Sequence, residues 1–97
     1  MKTLGEIKKI LIIHKGKLKE KFKVKEIGVF GSAIRGERKR KSDIDILVDF
    51  EERADLFDLV GVSLFLERKL KQKVDVVPKR ALRKEIRKSI LKEVVSL

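Results

Sequence analysis

Two aspartates one residue apart, Asp43-Ile44-Asp45, follow a Gly31-Ser32 pair across ten intervening residues, Ala33–Ser42. On a β-strand, positions i and i+2 share a face, so both carboxylates project from one side, one pleat apart. Like charges held that close are costly unless a cation pairs them. Hard oxygen donors at this spacing suit Mg²⁺ or Mn²⁺. A third carboxylate, Asp75, lies between Val74 and Val76 in a short β-prone run. If the two strands are parallel neighbours, Asp75 falls beside the pair. Three carboxylates can hold two metals about 3.5–4 Å apart, the arrangement that clamps an in-line phosphoryl displacement. The plainer alternative is that Asp43 caps a strand end and Asp45 enters a salt bridge.

The Gly31-Ser32 pair complements the carboxylates. Backbone N–H groups at a strand-to-helix turn form an anion site. Gly31 lets phosphate approach the backbone, and the Ser32 hydroxyl adds a donor. Arg35, one helical turn on, projects the same way and can neutralise phosphate. Gly36 frees the chain to leave the turn.

These residues need elements to position them. Thr3-Leu4-Gly5-Glu6 reads as a capping box. Leu4, Ile7, Leu11, His14 and Leu18 then recur at helical spacing, which predicts a helix over Leu4–Phe22. Val24–Phe30 is a β-prone run ending at Gly31, and Ser32–Arg35 a brief helical turn. Asp43–Phe50 reads as a buried strand, with Ile44, Ile46 and Val48 on one face and Asp43, Asp45, Leu47 and Asp49 on the other. Asp55–Leu70 is a helix with Asp55 at its start. Val74–Val77 is a short strand stopped by Pro78, and Leu82–Val95 a closing amphipathic helix. The order α-β-turn-β-α-β-α predicts a single α/β (α+β) domain over residues 1–97, a small mixed sheet with packed helices. The helix between the second and third strands permits a right-handed parallel crossover.

Composition bounds the function. The chain has 97 residues, of which 42% are hydrophobic, enough for a core and too many for a disordered chain. It has no cysteine, which excludes a disulfide scaffold and fits a reducing cytoplasm. The N-terminus lacks a signal-peptide pattern, and the longest apolar run, Ile10–Ile13, is too short for a membrane span. The net charge of +11 has two readings, a surface for polyanions or the ion-pair-rich composition of a protein built for heat. The loop Arg38-Lys39-Arg40-Lys41 either attracts ATP or an acidic partner, or is simply solvated. His14, the single histidine, lies on an apolar seam and reads as a core or interface residue. The apolar cover of Asp55–Leu70 exceeds one helix face, and an exposed remainder would mark an oligomer or partner surface.

The combination Gly31-Ser32-x10-Asp43-Ile44-Asp45 resembles the signature of the DNA polymerase β superfamily of nucleotidyltransferases. Gly28-Val29-Phe30, Ile46-Leu47-Val48-Asp49-Phe50, Asp55-Leu56-Phe57-Asp58-Leu59 and Lys73-Val74-Asp75-Val76-Val77 extend the likeness over nearly the whole chain. It is most similar to the minimal nucleotidyltransferase (MNT) group. Those proteins resemble the catalytic half of kanamycin nucleotidyltransferase and commonly pair, as antitoxins, with HEPN-domain toxins. The resemblance implies the polymerase β-like fold and transfer of AMP from ATP to a hydroxyl, a toxin tyrosine. It implies that Asp43 and Asp45 bind two Mg²⁺ ions. Asp75 would bind the catalytic one and help deprotonate the attacking hydroxyl. It further implies that Gly31, Ser32 and Arg35 hold the triphosphate, and that metal stabilises the leaving pyrophosphate. Two rivals stand beside this enzyme: an antitoxin that neutralises its partner by contact alone, and a transferase acting on a small molecule such as an aminoglycoside.

Overall fold

Thr3 opens the first helix with a reciprocal cap. Its hydroxyl accepts from the Glu6 amide at 3.2 Å, and the Glu6 carboxylate accepts from the Thr3 amide at 3.1 Å. The computed structural model describes residues 3–31, 34 and 43–97. Helix α1 spans Leu4–Phe22, as the capping box and apolar spacing predict. It closes on Lys23, whose backbone is left-handed (φ 58°). Strand β1 (Val24–Phe30), strand β2 (Ile44–Phe50), helix α2 (Leu56–Leu70) and strand β3 (Val74–Pro78) follow. A 3-10 turn (Lys79–Ala81), helix α3 (Lys84–Glu93) and strand β4 (Val95–Ser96) complete the described elements.

The strands form one mixed sheet in the order β3-β2-β1-β4. β1 and β2 pair antiparallel, and β2 and β3 pair parallel through the α2 crossover, both as expected. The last element differs from its expectation. The helix predicted over Leu82–Val95 is confined to Lys84–Glu93, and the chain beyond it becomes a fourth strand. Val94 leaves the helix with φ −61° and ψ 136°, and β-branched Val95 then pairs with Val29. The Leu97 amide donates to the Ile27 carbonyl at 3.0 Å, so the open edge of β1 gains backbone partners that another helical turn would not supply.

The sheet has two unlike faces. On one, α1 and α2 enclose the main core: Ile7, Leu11 and Leu18 from α1, Val62, Phe65 and Leu66 from α2, and Ile44, Ile46 and Val48 from β2. Burying each such side chain stabilises the fold by about 1.5–3 kcal/mol. The two helices pack closely because Gly61 has no side chain; a Cβ there would lie 2.5 Å from Phe22 Cε1. His14 stacks edge-on against Phe65, with ring centroids 5.4 Å apart, in keeping with a packing role. On the other face, Phe30, Leu47 and Leu82 form a smaller cluster with Val77, Ile90 and Val94 against it. The alternation predicted for β2 is therefore the alternation between the two faces.

Asp58, 7% exposed, sits at the start of α2 as a buried charge. Its carboxylate accepts from Lys23 Nζ at 3.0 Å and from the Asp55 amide at 3.0 Å, and Asp55 in turn caps the Asp58 amide. The Asp55 amide first, and Lys23 after it, hold the Asp58 carboxyl below its ordinary range. One face of α2 stays uncovered: Leu56, Phe57, Val60 and Leu64 are 70%, 87%, 48% and 57% exposed. Among the described residues, no helix is long and apolar enough to cross a membrane.

Candidate active site

The sheet register assembles the site. Parallel pairing of β2 with β3 sets Asp45 opposite Asp75, and antiparallel pairing of β1 with β2 sets Phe30 opposite Asp45. Neighbouring strands lie about 4.8 Å apart, so the two aspartates stand side by side. They share the lightly covered face with Leu47 and Val77, their i+2 neighbours. Asp43 precedes β2 by one residue and is exposed, one pleat before Asp45.

Gly31 follows β1 with φ +76°, a left-handed conformation in which a Cβ would overlap the Asp45 carboxylate. Glycine is therefore required on two grounds, backbone angle and the close approach of the carboxylate. The Gly31 carbonyl accepts from the Ile34 amide at 3.1 Å, and Ile34 is helical and packs on the main core. The remainder of the predicted Ser32–Arg35 turn, with Ser32 and Arg35 themselves, lies outside the described residues, as does the basic loop Arg38–Lys41.

A cavity of about 770 Å³ opens over these groups. Its walls include Phe30, Gly31, Asp45, Asp75 and Val77 from the sheet, and Ile86, Ser89, Ile90, Lys92 and Glu93 from α3. Ile86, on the expected apolar stripe of the last helix, is 47% exposed because it faces this opening. Glu93 reaches β1, where its Oε2 accepts from the Gly31 amide at 3.3 Å. Sequence reasoning missed Ser89, Lys92 and Glu93. The available signal was spacing: Ile86, Ser89, Ile90 and Glu93 recur at i, i+3, i+4 and i+7, so two polar residues interrupt an inward stripe.

The donor set suits a hard divalent cation: two aspartates in register, a third one pleat away, and a glycine that leaves their approach open. Among the described residues, no group of three His, Cys, Asp or Glu is gathered closely enough to hold a metal ion. Asp45 and Asp75 are the pair the register brings together, and Asp43 lies one residue before β2.

Comparison with known proteins gives four likenesses. A family model for the nucleotidyltransferase domain matches residues 11–97. The protein adenylyltransferase MntA of Thermococcus cleftensis is 52% identical over 95 residues, covering 98% of this chain and 96% of the relative. A solved structure of a candidate minimal nucleotidyltransferase superposes with a TM-score of 0.78 at 33% identity, covering 94% of this chain and 95% of that one. One chain of a toxin–antitoxin complex crystallised with AMP-PNP superposes with a TM-score of 0.69 at 26% identity, covering 87% of this chain and 69% of that one.

Proposed function

The chain belongs to the nucleotidyltransferase domain family, and on that premise we propose that it is a protein adenylyltransferase. It moves AMP from ATP onto a tyrosine hydroxyl of an HEPN-type toxin and so acts as the antitoxin of a pair. The observation that carries this reading is the register of Asp45 with Asp75 beside the left-handed Gly31. Anion-binding backbone and paired carboxylates then face one cavity.

In the reaction, the toxin hydroxyl oxygen bonds to the α-phosphorus, and the bond from that phosphorus to the bridging oxygen breaks. Pyrophosphate leaves with the electron pair. Asp75 takes up the hydroxyl proton as the new bond forms. Gly31, Ser32 and Arg35 hold the triphosphate so that attacking and leaving oxygens stay in line. Asp45 and Asp75 would hold Mg²⁺, with Mn²⁺ a substitute, and Asp43 would complete a two-ion site once metal draws the three carboxylates together; the ions would supply the charge neutralisation that an in-line displacement needs. Val77, Leu82 and Ile86 give the cavity an apolar wall.

The test is direct. The chain, Mg²⁺ and α-labelled ATP are incubated with an HEPN-type toxin, and label and the mass of one AMP per site should appear on toxin tyrosines. Label that never leaves ATP, under conditions where the two proteins co-elute, would overturn transfer. A second reading, neutralisation by contact, is favoured by the uncovered strip Leu56, Phe57, Val60 and Leu64, which is larger than scattered surface apolar residues require.

A further inference from the structure

Glu93 belongs to α3, far from the signature motif in sequence, yet its carboxylate occupies the Gly31 amide at 3.3 Å. A backbone N–H at a strand-to-turn glycine is a donor that a phosphate can take. An anion of the protein's own is therefore seated where a substrate anion would sit.

Its position is fixed by the sheet. In the β1–β4 ladder Gly28 pairs with Ser96 and Val29 with Val95. Carrying this antiparallel register two positions further sets residue 93 opposite residue 31. The turn out of α3 at Val94 and the pairing of β4 thus deliver Glu93 to Gly31. Gly31 is buried and Glu93 half-buried, and both line the cavity that holds Asp45 and Asp75.

We propose that Glu93 is a resident anion in the phosphate seat, which a nucleotide triphosphate must displace from the Gly31 amide in order to bind. The inference rests on the nucleotide-binding reading of the Gly31 turn. One N–H cannot serve a carboxylate and a phosphate together, and the two anions repel at that distance. Glu93 thereby sets the affinity for nucleotide and ties its binding to the α3–β4 arm. A hydrogen bond to a charged acceptor is worth enough to change affinity about tenfold.

Binding of ATP, with and without Mg²⁺, is measured by calorimetry for the wild type, Glu93→Asp, Glu93→Gln and Glu85→Gln. Glu85 is an exposed acid on the same helix and controls for net charge. Glu93→Asp keeps the charge but shortens the reach to Gly31, so it separates displacement from simple repulsion. Both Glu93 variants should bind ATP about tenfold tighter, while Glu85→Gln stays within about twofold of the wild type. In the wild type, inorganic tripolyphosphate should move the Gly31 amide resonance and release the Glu93 side chain. Melting curves establish that each variant is folded. Tightening in Glu93→Gln alone, or weaker binding in either Glu93 variant, overturns the proposal. Equal affinity in all four proteins overturns it while leaving the nucleotide reading intact; no ATP binding in any of them sinks both.

Discussion

Aspartate does opposite work on the two faces of this sheet. On the helical side, at the start of α2, Asp58 is buried but answered by Lys23 Nζ at 3.0 Å and by the Asp55 amide at 3.0 Å. On the other face, Asp45 and Asp75 are set in register, like charge beside like charge, beneath a cavity. The first arrangement satisfies a charge and steadies the start of a helix. The second concentrates negative potential where a cation and a triphosphate could use it. The same side chain is structural or chemical according to what faces it. Apolar burial is distributed the same way: the helical face carries the larger core, and the site face is left open enough to admit a ligand.

Replacing carboxylates on the open face should have the largest effect. Asp43→Asn with Asp45→Asn should lower AMP transfer by at least about a thousandfold, the scale of losing electrostatic stabilisation at a reacting phosphate. Circular dichroism and a melting curve should show the variant folded, so that the loss is one of chemistry. Full neutralisation of the toxin by this folded variant, with no mass shift, would favour contact over catalysis. On the helical face, Leu66→Ala removes a fully buried side chain and should cost about 2–5 kcal/mol by denaturant unfolding. Transfer per folded molecule should not change; a matching loss of activity at low temperature would break the division between the faces.

Asp58→Asn should cost about 1–3 kcal/mol, since it leaves Lys23 without its charged acceptor. The pH dependence follows from the lowered carboxyl. Its contribution is complete above the unfolded value of about 3.9 and is lost as pH falls through the lower folded value. The wild-type melting temperature should therefore drop more steeply than the variant's as pH falls below about 4. Parallel acid profiles would show that Asp58 contributes nothing of this kind. The smallest effect is expected at Gly16, within α1, where a Cβ would meet nothing within 4 Å. Gly16→Ala should stabilise the protein by about 0.5–1 kcal/mol and leave transfer unchanged.

Much of the architecture could be read from local pattern because local chemistry decides it. The Thr3–Glu6 box, the period of α1 and the alternation of β2 carry their own geometry. Asp45 could be matched to Asp75 because a helical crossover implies parallel strands. The tail was not legible in the same way. Val94 continues the apolar period of four set by Leu82, Ile86 and Ile90, and only the open edge of β1, a partner 66 residues earlier for Val95 at Val29, turns the chain beyond it into a strand. Glu93 was hidden for the same reason, since its role depends on a register that local sequence does not contain. The exposed strip on α2 was signalled by excess apolar cover, although which residues stay outside is decided by how α1 lies against Gly61 and Phe65.

The strand order leaves β3 as an outer strand, and its length and ending bear on how the protein behaves when crowded. An outer strand is a template for other chains, and long flat ones seed aggregation. This one spans only Val74–Pro78, and Pro78 brings no N–H to a newcomer. Lys73 precedes it, and just past it Arg80 folds back to donate to the Phe50 and Glu51 carbonyls at 3.1 and 2.8 Å. A second chain seeking to extend the sheet would find few bonds and a cation at each end. At the opposite margin β4 already covers part of β1. The sheet thus offers little template for edge-to-edge growth at its β3 margin.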